Sequence, residues 1–171
     1  GESWTKAAGN TVAYTNAIAV TPHNNILVSG FLGLYSSNDA GATWSLILDD
    51  AGTSTMALTG STIYVGRYAR ISRSTDFGAT WTVFDLAPDV GYIRSIAFNS
   101  QGHIFAGSSP TGVFRSLEGT NWINMALPGS KVQIIRIKNN DHVFVGTDSA
   151  LFRSTNNGSN WTRLTVGISP F

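Results

Sequence analysis

The chain has 171 residues, of which 42% are hydrophobic and 12% are charged, so it has enough apolar material for a buried core. Eleven Lys and Arg residues against ten Asp and Glu residues give a net charge of +1, and no basic cluster is present, so we expect no nucleic-acid partner. The absence of cysteine excludes disulfides and thiolate chemistry, and no apolar run reaches the roughly 18 residues of a membrane helix, so we expect no membrane span.

Tryptophan recurs at a nearly constant interval along the chain. Successive copies are separated by 40, 37, 41 and 39 residues, at Trp4, Trp44, Trp81, Trp122 and Trp161. A period of this length is typical of propellers and other repeat folds. We therefore predict a single β-propeller domain or partial propeller with repeats at roughly 10–48, 49–86, 87–127 and 128–166, and a surplus outer strand at 1–9.

In chain order, each repeat has three apolar runs followed by a run that begins at Trp. The strands predicted for the first repeat are 17–20, 26–29, 34–37 and 44–48, and those for the third are 93–98, 103–106, 113–116 and 122–126. The second strands are apolar without alternation, which predicts burial on both faces. The third strands mix Arg and Ser with apolar residues, which predicts greater exposure. This pattern predicts an all-β chain of four consecutive four-stranded antiparallel blades.

A short polar motif, Ser-x-Asp-x-Gly-x-Thr-Trp, recurs in the turn that ends at each Trp. Its Asp can accept backbone N–H groups of its own turn, its Gly can adopt positive φ, and its Trp is expected to fill the gap between sheets. We expect a structural role for Ser37, Asp39, Gly41, Thr43, Trp44, Ser74, Asp76, Gly78, Thr80, Trp81, Ser116, Glu118, Gly119, Trp122, Ser154, Asn156, Gly158 and Trp161.

The motif resembles the Asp-box, or BNR repeat, of sialidases, sortilin-type receptors, xyloglucan-cleaving glycoside hydrolases and photosystem II assembly factor-like proteins. Two copies are complete, the third is one residue shorter and carries Glu118, and the fourth has Asn156 in place of Asp. The resemblance implies a β-propeller with Asp-box hairpins between the third and fourth strands, in a secreted or cell-surface bacterial protein. Asp-boxes occur in enzymes and in binding proteins, so the resemblance implies no particular activity.

The loops at the other end of the blades are where a ligand is expected. In two neighbouring repeats these loops carry Arg and Tyr, which suit a carboxylate or the face of a sugar ring. The candidate ligand face consists of Phe31, Arg67, Tyr68, Arg70, Tyr92, Arg94 and Asp148. The alternative interpretation is that these are ordinary solvated loop residues, with the arginines lying along blade surfaces.

No catalytic residue is predicted. Sialidases, which the repeat resembles, use an arginine triad, a Tyr nucleophile with a Glu partner and an Asp acid, yet the only glutamates here are Glu2 and Glu118, both in hairpin positions. A paired-carboxylate glycosidase needs two acids roughly 5 to 10 Å apart. The remaining candidates are scattered among loops: Asp49, Asp50, Asp85, Asp89 and Asp148. The three histidines, His23, His103 and His142, lie in different repeats, so we expect no metal and no cofactor.

These patterns favour a non-catalytic binding or scaffold module for a glycan or a protein. The alternative is part of a glycoside hydrolase, sialidase-like or xyloglucanase-like, whose catalytic residues lie partly outside this chain. The surplus strand, and the start of the chain inside a turn motif, favour a piece of a longer propeller. Four blades in an arc would leave two apolar faces uncovered, so we expect two copies to close a ring, or four blades to close alone.

Overall fold

The computed structural model describes residues 14–127 and 131–165, and the predicted surplus strand at 1–9 lies outside them. The described residues form short strands and turns without a helix, and so contain no helix long and apolar enough to cross a membrane. The strands are β1 (Ala17–Val20), β2 (Ile26–Gly30), β3 (Gly33–Ser37), β4 (Ser45–Leu48), β5 (Thr55–Thr59), β6 (Thr62–Arg67), β7 (Arg70–Ser74), β8 (Thr82–Asp85), β9 (Gly91–Phe98), β10 (Ile104–Pro110), β11 (Gly112–Ser116), β12 (Ile123–Asn124), β13 (Val132–Ile137), β14 (Val143–Thr147), β15 (Leu151–Ser154) and β16 (Thr162–Leu164).

Four consecutive strands make up each sheet, which confirms the prediction of four four-stranded antiparallel sheets. The sheets are β1 to β4, β5 to β8, β9 to β12 and β13 to β16, each with neighbouring strands in chain order. Because neighbouring strands are antiparallel, the turn between the second and third strands lies at the opposite end of its sheet from the turn between the third and fourth. The predicted first strand, 17–20, matches β1, whereas β4 begins at Ser45, one residue after the Trp.

Burial along the strands confirms one sequence prediction and corrects another. The second strands are buried, with Leu27, Ile63 and Phe105 between 0% and 1% exposed. The third strands were predicted to be more exposed, but β3, β7 and β11 are largely buried, and Leu34 and Val113 are both inaccessible to solvent. Only β15 is half-buried over most of its length, as predicted. The prediction was wrong for β3, β7 and β11 because their terminal serines, which suggested exposure, are themselves buried, and each hydroxyl accepts an N–H of the following turn.

The chain divides into two compact units, and each has a core of its own. The first comprises Gly1–Val65 and Ser72–Thr82, and the second comprises Gly66–Ile71 and Val83–Phe171. The first core contains Leu27, Leu34, Ile63 and Val65. The second contains Phe105, Val113, Leu127, Val132, Ile135, Val143 and Val145. Burying side chains of this size stabilises a fold by about 1.5–3 kcal/mol each, so the apolar second and third strands supply much of the driving force.

Candidate functional site

The turns between third and fourth strands, here called the Trp hairpins (37–44, 74–81, 116–122 and 154–161), contain a recurring set of hydrogen bonds. In the first hairpin, the hydroxyl of Ser37 donates to Oδ1 of Asp39 at 2.8 Å and accepts the N–H of Gly41 at 2.8 Å. Oδ1 of Asp39 also accepts the N–H of Thr43 at 2.8 Å, and Oδ2 accepts the Thr43 hydroxyl. The carboxylate therefore closes the turn on itself.

The second hairpin repeats these bonds, and in both hairpins they favour the ionised carboxylate. Asp76 accepts the Thr80 N–H at 2.9 Å and the Thr80 hydroxyl at 2.6 Å. The hydroxyl and then the N–H of Thr43 are the main reasons that the pKa of Asp39 falls from 3.8 to about 2, with the Ser37 hydroxyl adding to them. The same donors around Asp76 lower its pKa to about 2. These carboxylates act as hydrogen-bond acceptors of the turn, a structural function.

The other two hairpins keep part of this pattern. In the fourth, the Oδ1 atom of Asn156 accepts the Ser154 hydroxyl at 3.0 Å and the Asn160 N–H at 2.9 Å, so an amide carbonyl replaces the carboxylate. The shortened third hairpin keeps the bond from the Gly119 N–H to the Ser116 hydroxyl, at 2.8 Å. Glu118 is exposed, and no described residue forms a hydrogen bond with its carboxylate.

Two of the Trp indoles tie a hairpin to the preceding sheet, one at its fourth strand β4 and one at the residue that follows its fourth strand β12. Nε1 of Trp81 donates to the carbonyl of Ile47 at 2.8 Å, and Nε1 of Trp161 donates to the carbonyl of Met125 at 3.0 Å. Each acceptor lies three residues after the preceding Trp. The corresponding indole N–H of Trp122 is buried without a hydrogen-bond partner among the described residues.

The glycines of the second and fourth hairpins pack at the same junction. Gly78 has a φ of +95°, and a Cβ added there would lie 2.8 Å from Cδ1 of Ile47. Gly158 has a φ of +82°, and its added Cβ would lie 3.4 Å from Cγ of Met125. Positive φ and close approach therefore both favour glycine here.

The candidate ligand face is best defined in the second unit, where the Arg67–Arg70 turn is tied to the start of β9. The N–H of Ala69 donates to the carbonyl of Gly91 at 2.7 Å, and the Ala69 carbonyl accepts the Leu86 N–H at 2.8 Å. An isolated antiparallel bridge joins Tyr68 to Tyr92. These backbone contacts fix the positions from which the two tyrosines extend.

The side chains at this place form an exposed aromatic cluster beside a cation. The rings of Tyr68 and Tyr92 pack edge to face with centroids 5.3 Å apart, and they remain 54% and 44% exposed. The guanidinium carbon of Arg94 lies 5.6 Å from the Tyr92 centroid, within cation–π distance. We call these three residues the Tyr-Arg cluster.

The remaining candidate residues are placed less closely together. Nε of Arg70 pairs with Oδ1 of Asp85 at 2.5 Å. Asp148 lies in the turn after β14, where its N–H donates to the carbonyl of Lys131 at 3.2 Å. Phe31 belongs to the first unit and packs edge to face against Tyr14, with ring centroids 6.3 Å apart. Arg67 is half-buried at the end of β6. No described contact links Asp148 to the Tyr-Arg cluster.

Sequence reasoning missed Asp85 as the partner of Arg70. Arg70 is the first residue of β7 and Asp85 is the last of β8, so these antiparallel neighbours bring the two ends together. Opposite charges at facing strand ends were the signal that could have identified the pair.

Two of the carboxylates considered for catalysis have partners of their own. Asp85 is bound to Arg70, and Oδ2 of Asp50 accepts the Ser72 hydroxyl at 3.2 Å. No described contact joins two of the candidate carboxylates, and the described residues contain no group of three potential metal ligands. An open cavity of about 260 Å³ adjoins the third Trp hairpin, with Arg115, Glu118 and Ile123 in its lining. It lies at the end of its sheet opposite to the Tyr-Arg cluster.

Many solved structures share this fold, among them the following three. An ancestral GH74 enzyme matches with a TM-score of 0.81 at 19% identity, over 96% of this chain and 27% of its own. Virginiamycin B lyase from Staphylococcus aureus, an inactive variant with quinupristin, matches with a TM-score of 0.79 at 16% identity, over 95% of this chain and 59% of its own. PorZ, a surface component of the type-IX secretion system of Porphyromonas gingivalis, matches with a TM-score of 0.70 at 16% identity, over 98% of this chain and 30% of its own.

This chain therefore spans less than two thirds of each of these proteins. No protein-family model matches it, and no curated protein matches its sequence. At such low identities the structural likeness shows the fold alone, and the four antiparallel sheets are consistent with blades of a β-propeller.

Proposed function

We propose that this chain is a non-catalytic binding or scaffold module built from propeller blades, and that its Trp hairpins are Asp-box repeats. The hydrogen bonds of Asp39 and Asp76 support the second part, because they use every polar residue of the motif within its own turn. A motif whose polar groups are all engaged in this way stabilises the scaffold and leaves ligand binding to other residues.

The observation that carries the binding role is the Tyr-Arg cluster. Exposed tyrosine rings offer a flat apolar surface with a polar edge, and a guanidinium adds directional hydrogen-bond donors. Backbone hydrogen bonds already position the cluster, so a ligand would find it with little ordering cost. A glycan or a protein segment is the ligand that such a surface suits.

A glycan array with the purified chain tests this role. We expect binding to a subset of saccharides that is lost in the Tyr92→Ala and Arg94→Ala variants and kept in Arg136→Ala. Arg136 is a matched control, since it is an exposed arginine on β13 whose Nη1 atom donates to the carbonyl of Ile135. If every variant keeps the wild-type pattern, the ligand face lies elsewhere.

The second candidate function is part of a glycoside hydrolase, which the likeness to a GH74 enzyme favours. The separate contacts of Asp50 and Asp85 argue against a complete active site in this chain. Reducing-sugar release from xyloglucan distinguishes the two functions. If sugar is released, and the release disappears in the Asp50→Asn or the Asp85→Asn variant, the hydrolase is favoured. We expect no release of sugar from the unmodified chain.

We also propose a secreted or cell-surface location in a bacterium. The likeness to PorZ, a bacterial surface component, supports it. Fractionation of the source cells with an antibody to this chain would test the location.

A further inference from the structure

We propose that the Tyr-Arg cluster binds a saccharide that carries a carboxylate, such as a uronic acid unit. This inference rests on the proposed binding function and specifies the ligand class at the same place. It starts from the charges around the two tyrosines, which set this surface apart from a purely aromatic platform.

The arginines near the cluster differ in how their charge is compensated. Arg70 is neutralised by Asp85, with 2.5 Å between Nε and Oδ1. Arg94 is exposed, and none of the described carboxylates lies within ion-pair distance of it. The guanidinium of Arg94 lies against the Tyr92 ring, which attracts the cation but leaves its N–H donors available. Within residues 14–127 and 131–165, the positive charge of the cluster is therefore not compensated by a carboxylate.

The position of that charge selects the shape of the ligand. The guanidinium carbon lies 5.6 Å from the centre of the Tyr92 ring, which is 44% exposed, and the centre of the Tyr68 ring lies 5.3 Å from that of Tyr92. A pyranose ring can stack its C–H face on a tyrosine while an anionic substituent reaches the neighbouring guanidinium. A carboxylate fits the planar fork of Arg by two parallel hydrogen bonds, which a lysine ammonium does not reproduce.

The backbone around the cluster is closely packed, which holds in place the positions from which Tyr92 and Arg94 extend. Gly91 has a φ of +70°, and a Cβ added to it would lie 1.9 Å from the carbonyl oxygen of Ser109. The chain is therefore held tightly where β9 begins, one residue before Tyr92 and three before Arg94. A preorganised site of this kind loses little entropy on binding.

The experiment compares matched saccharides by isothermal titration calorimetry. The probes are a trimer of galacturonic acid, its methyl ester and the carboxyl-reduced trimer, which differ only in the charged group. We expect the free acid to bind at least tenfold more tightly than the ester or the reduced form, since hydrogen bonds to charged groups exceed neutral ones by this amount. Added salt is expected to weaken only the free acid.

Variants assign the effect to the cluster. We expect Arg94→Gln to lower affinity for the free acid about tenfold and to remove its preference over the ester. Arg94→Lys keeps the charge without the planar fork and is expected to retain part of the preference. Tyr92→Ala should weaken acid and ester alike, and the control Arg136→Gln should change neither. Unfolding temperatures equal to wild type would show that each variant is folded.

The outcomes separate this inference from the proposed function. Equal binding of acid, ester and reduced trimer would overturn the carboxylate assignment while leaving a glycan-binding role intact. If an oligoglutamate peptide displaces the bound free-acid trimer when both are at equal concentration, the cluster recognises charge without a sugar. This result would also overturn the assignment. The assignment would also be overturned if none of the three trimers binds while neutral saccharides bind on the array. No binding of any saccharide would remove the glycan role itself.

Discussion

Single residues in the Trp hairpins show how far the motif can change before the turn weakens. Asn156 keeps the two bonds to Oδ1 that Asp39 and Asp76 make, at 3.0 Å and 2.9 Å. The hairpin therefore depends on an oxygen at this position more than on its charge.

We accordingly expect Asp76→Asn to lower the unfolding temperature slightly, because it loses the acceptor of the Thr80 hydroxyl, now 2.6 Å away. Asp76→Ala should lower it by several degrees more, since it also leaves the Thr80 N–H and the Ser74 hydroxyl without their acceptor. Thermal unfolding followed by circular dichroism gives both values. Equal losses in the two variants would contradict this ranking.

The same carboxylates make stability depend on pH in a defined direction. Asp39 and Asp76 have their pKa lowered from 3.8 to about 2, so the folded state binds protons less readily than the unfolded state. Their contribution is fully present above pH 3.8 and is lost as pH falls towards 2. Asp141 acts in the same sense, because the Ser100 hydroxyl and N–H lower its pKa.

Urea unfolding between pH 5 and pH 2 is the measurement. We expect the midpoint to fall across this range in the wild type and to fall less steeply in the Asp39→Asn, Asp76→Asn double variant. Asp89→Asn serves as the control, because the described residues make no hydrogen bond to that side chain. An unchanged slope in the double variant would exclude these two groups as the cause.

At the scale of the hairpin, the indole donors provide an internal comparison. Trp161→Phe removes the bond to the Met125 carbonyl, whereas Trp122→Phe removes an N–H that is buried without a described partner. We expect the first change to cost about 1 kcal/mol more than the second, because losing a satisfied bond is destabilising and losing an orphan donor is not. Denaturant unfolding of both variants measures this difference. A larger cost for Trp122→Phe would show that its indole does find a partner.

Two constraints act on Gly78, a positive φ and the close approach of the Ile47 side chain, and substitutions can separate their effects. Gly78→Ala meets both a φ of +95° and the side chain of Ile47, with 2.8 Å between Cβ and Cδ1. Gly102→Ala meets a φ of +80° but has no atom within 4 Å. We expect about 1 kcal/mol of destabilisation for Gly102→Ala and clearly more for Gly78→Ala, by the same unfolding assay. Adding Ile47→Val to Gly78→Ala shortens the side chain that the new Cβ meets, so we expect it to restore part of the additional stability lost. If it restores none, the additional loss comes from the strained backbone.

At the scale of the whole chain, the repeat made most strands predictable. The Trp interval set the register of all repeats at once, so β1 was predicted to the residue and the second strands were correctly expected to be buried. Besides the terminal serines, Arg73 in β7 and Arg115 in β11 led to the error, because their charge suggested a solvated face. Each has only partial exposure, and Nη1 of Arg115 donates to the carbonyl of Asn157 at 2.7 Å.

The candidate site was less predictable than the fold. The repeat placed the loops of Tyr68 and Tyr92 at the same end of neighbouring sheets, and the structure brings these two and Arg94 together. The structure does not bring Asp148 into contact with this cluster. The repeat could not predict this, because the directions of loop side chains do not recur from one repeat to the next. The pairing of Arg70 with Asp85 depends on where two strands end, and strand ends are the least certain part of a pattern.

Self-association is the prediction that belongs to the whole molecule. In the second unit, β15 is less buried than β11, and Nε of Arg153 is buried without a hydrogen-bond partner in the part of the chain described. In the first unit, Ile18 and Val20 of β1 are 71% and 61% exposed. Apolar surface of this kind is normally covered, and we expect a second copy to cover it.

Light scattering coupled to size exclusion should therefore show a mass that rises with concentration. Ile18→Lys is expected to reduce the association, and Leu46→Lys, another exposed apolar position on the same sheet, should affect it less. A constant monomer mass at all concentrations would rule out a paired assembly.

The bonds from Trp81 and Trp161 to a carbonyl of the preceding sheet also bear on how such a chain can evolve. The donor is a side chain, but the acceptor is backbone, and Ile47 and Met125 serve equally well. A duplicated or deleted repeat would carry one donor and one acceptor with it, whatever residue supplies the carbonyl. Gene recombination in whole repeats would thus alter the number of sheets without breaking this link, while each loop remained free to diverge.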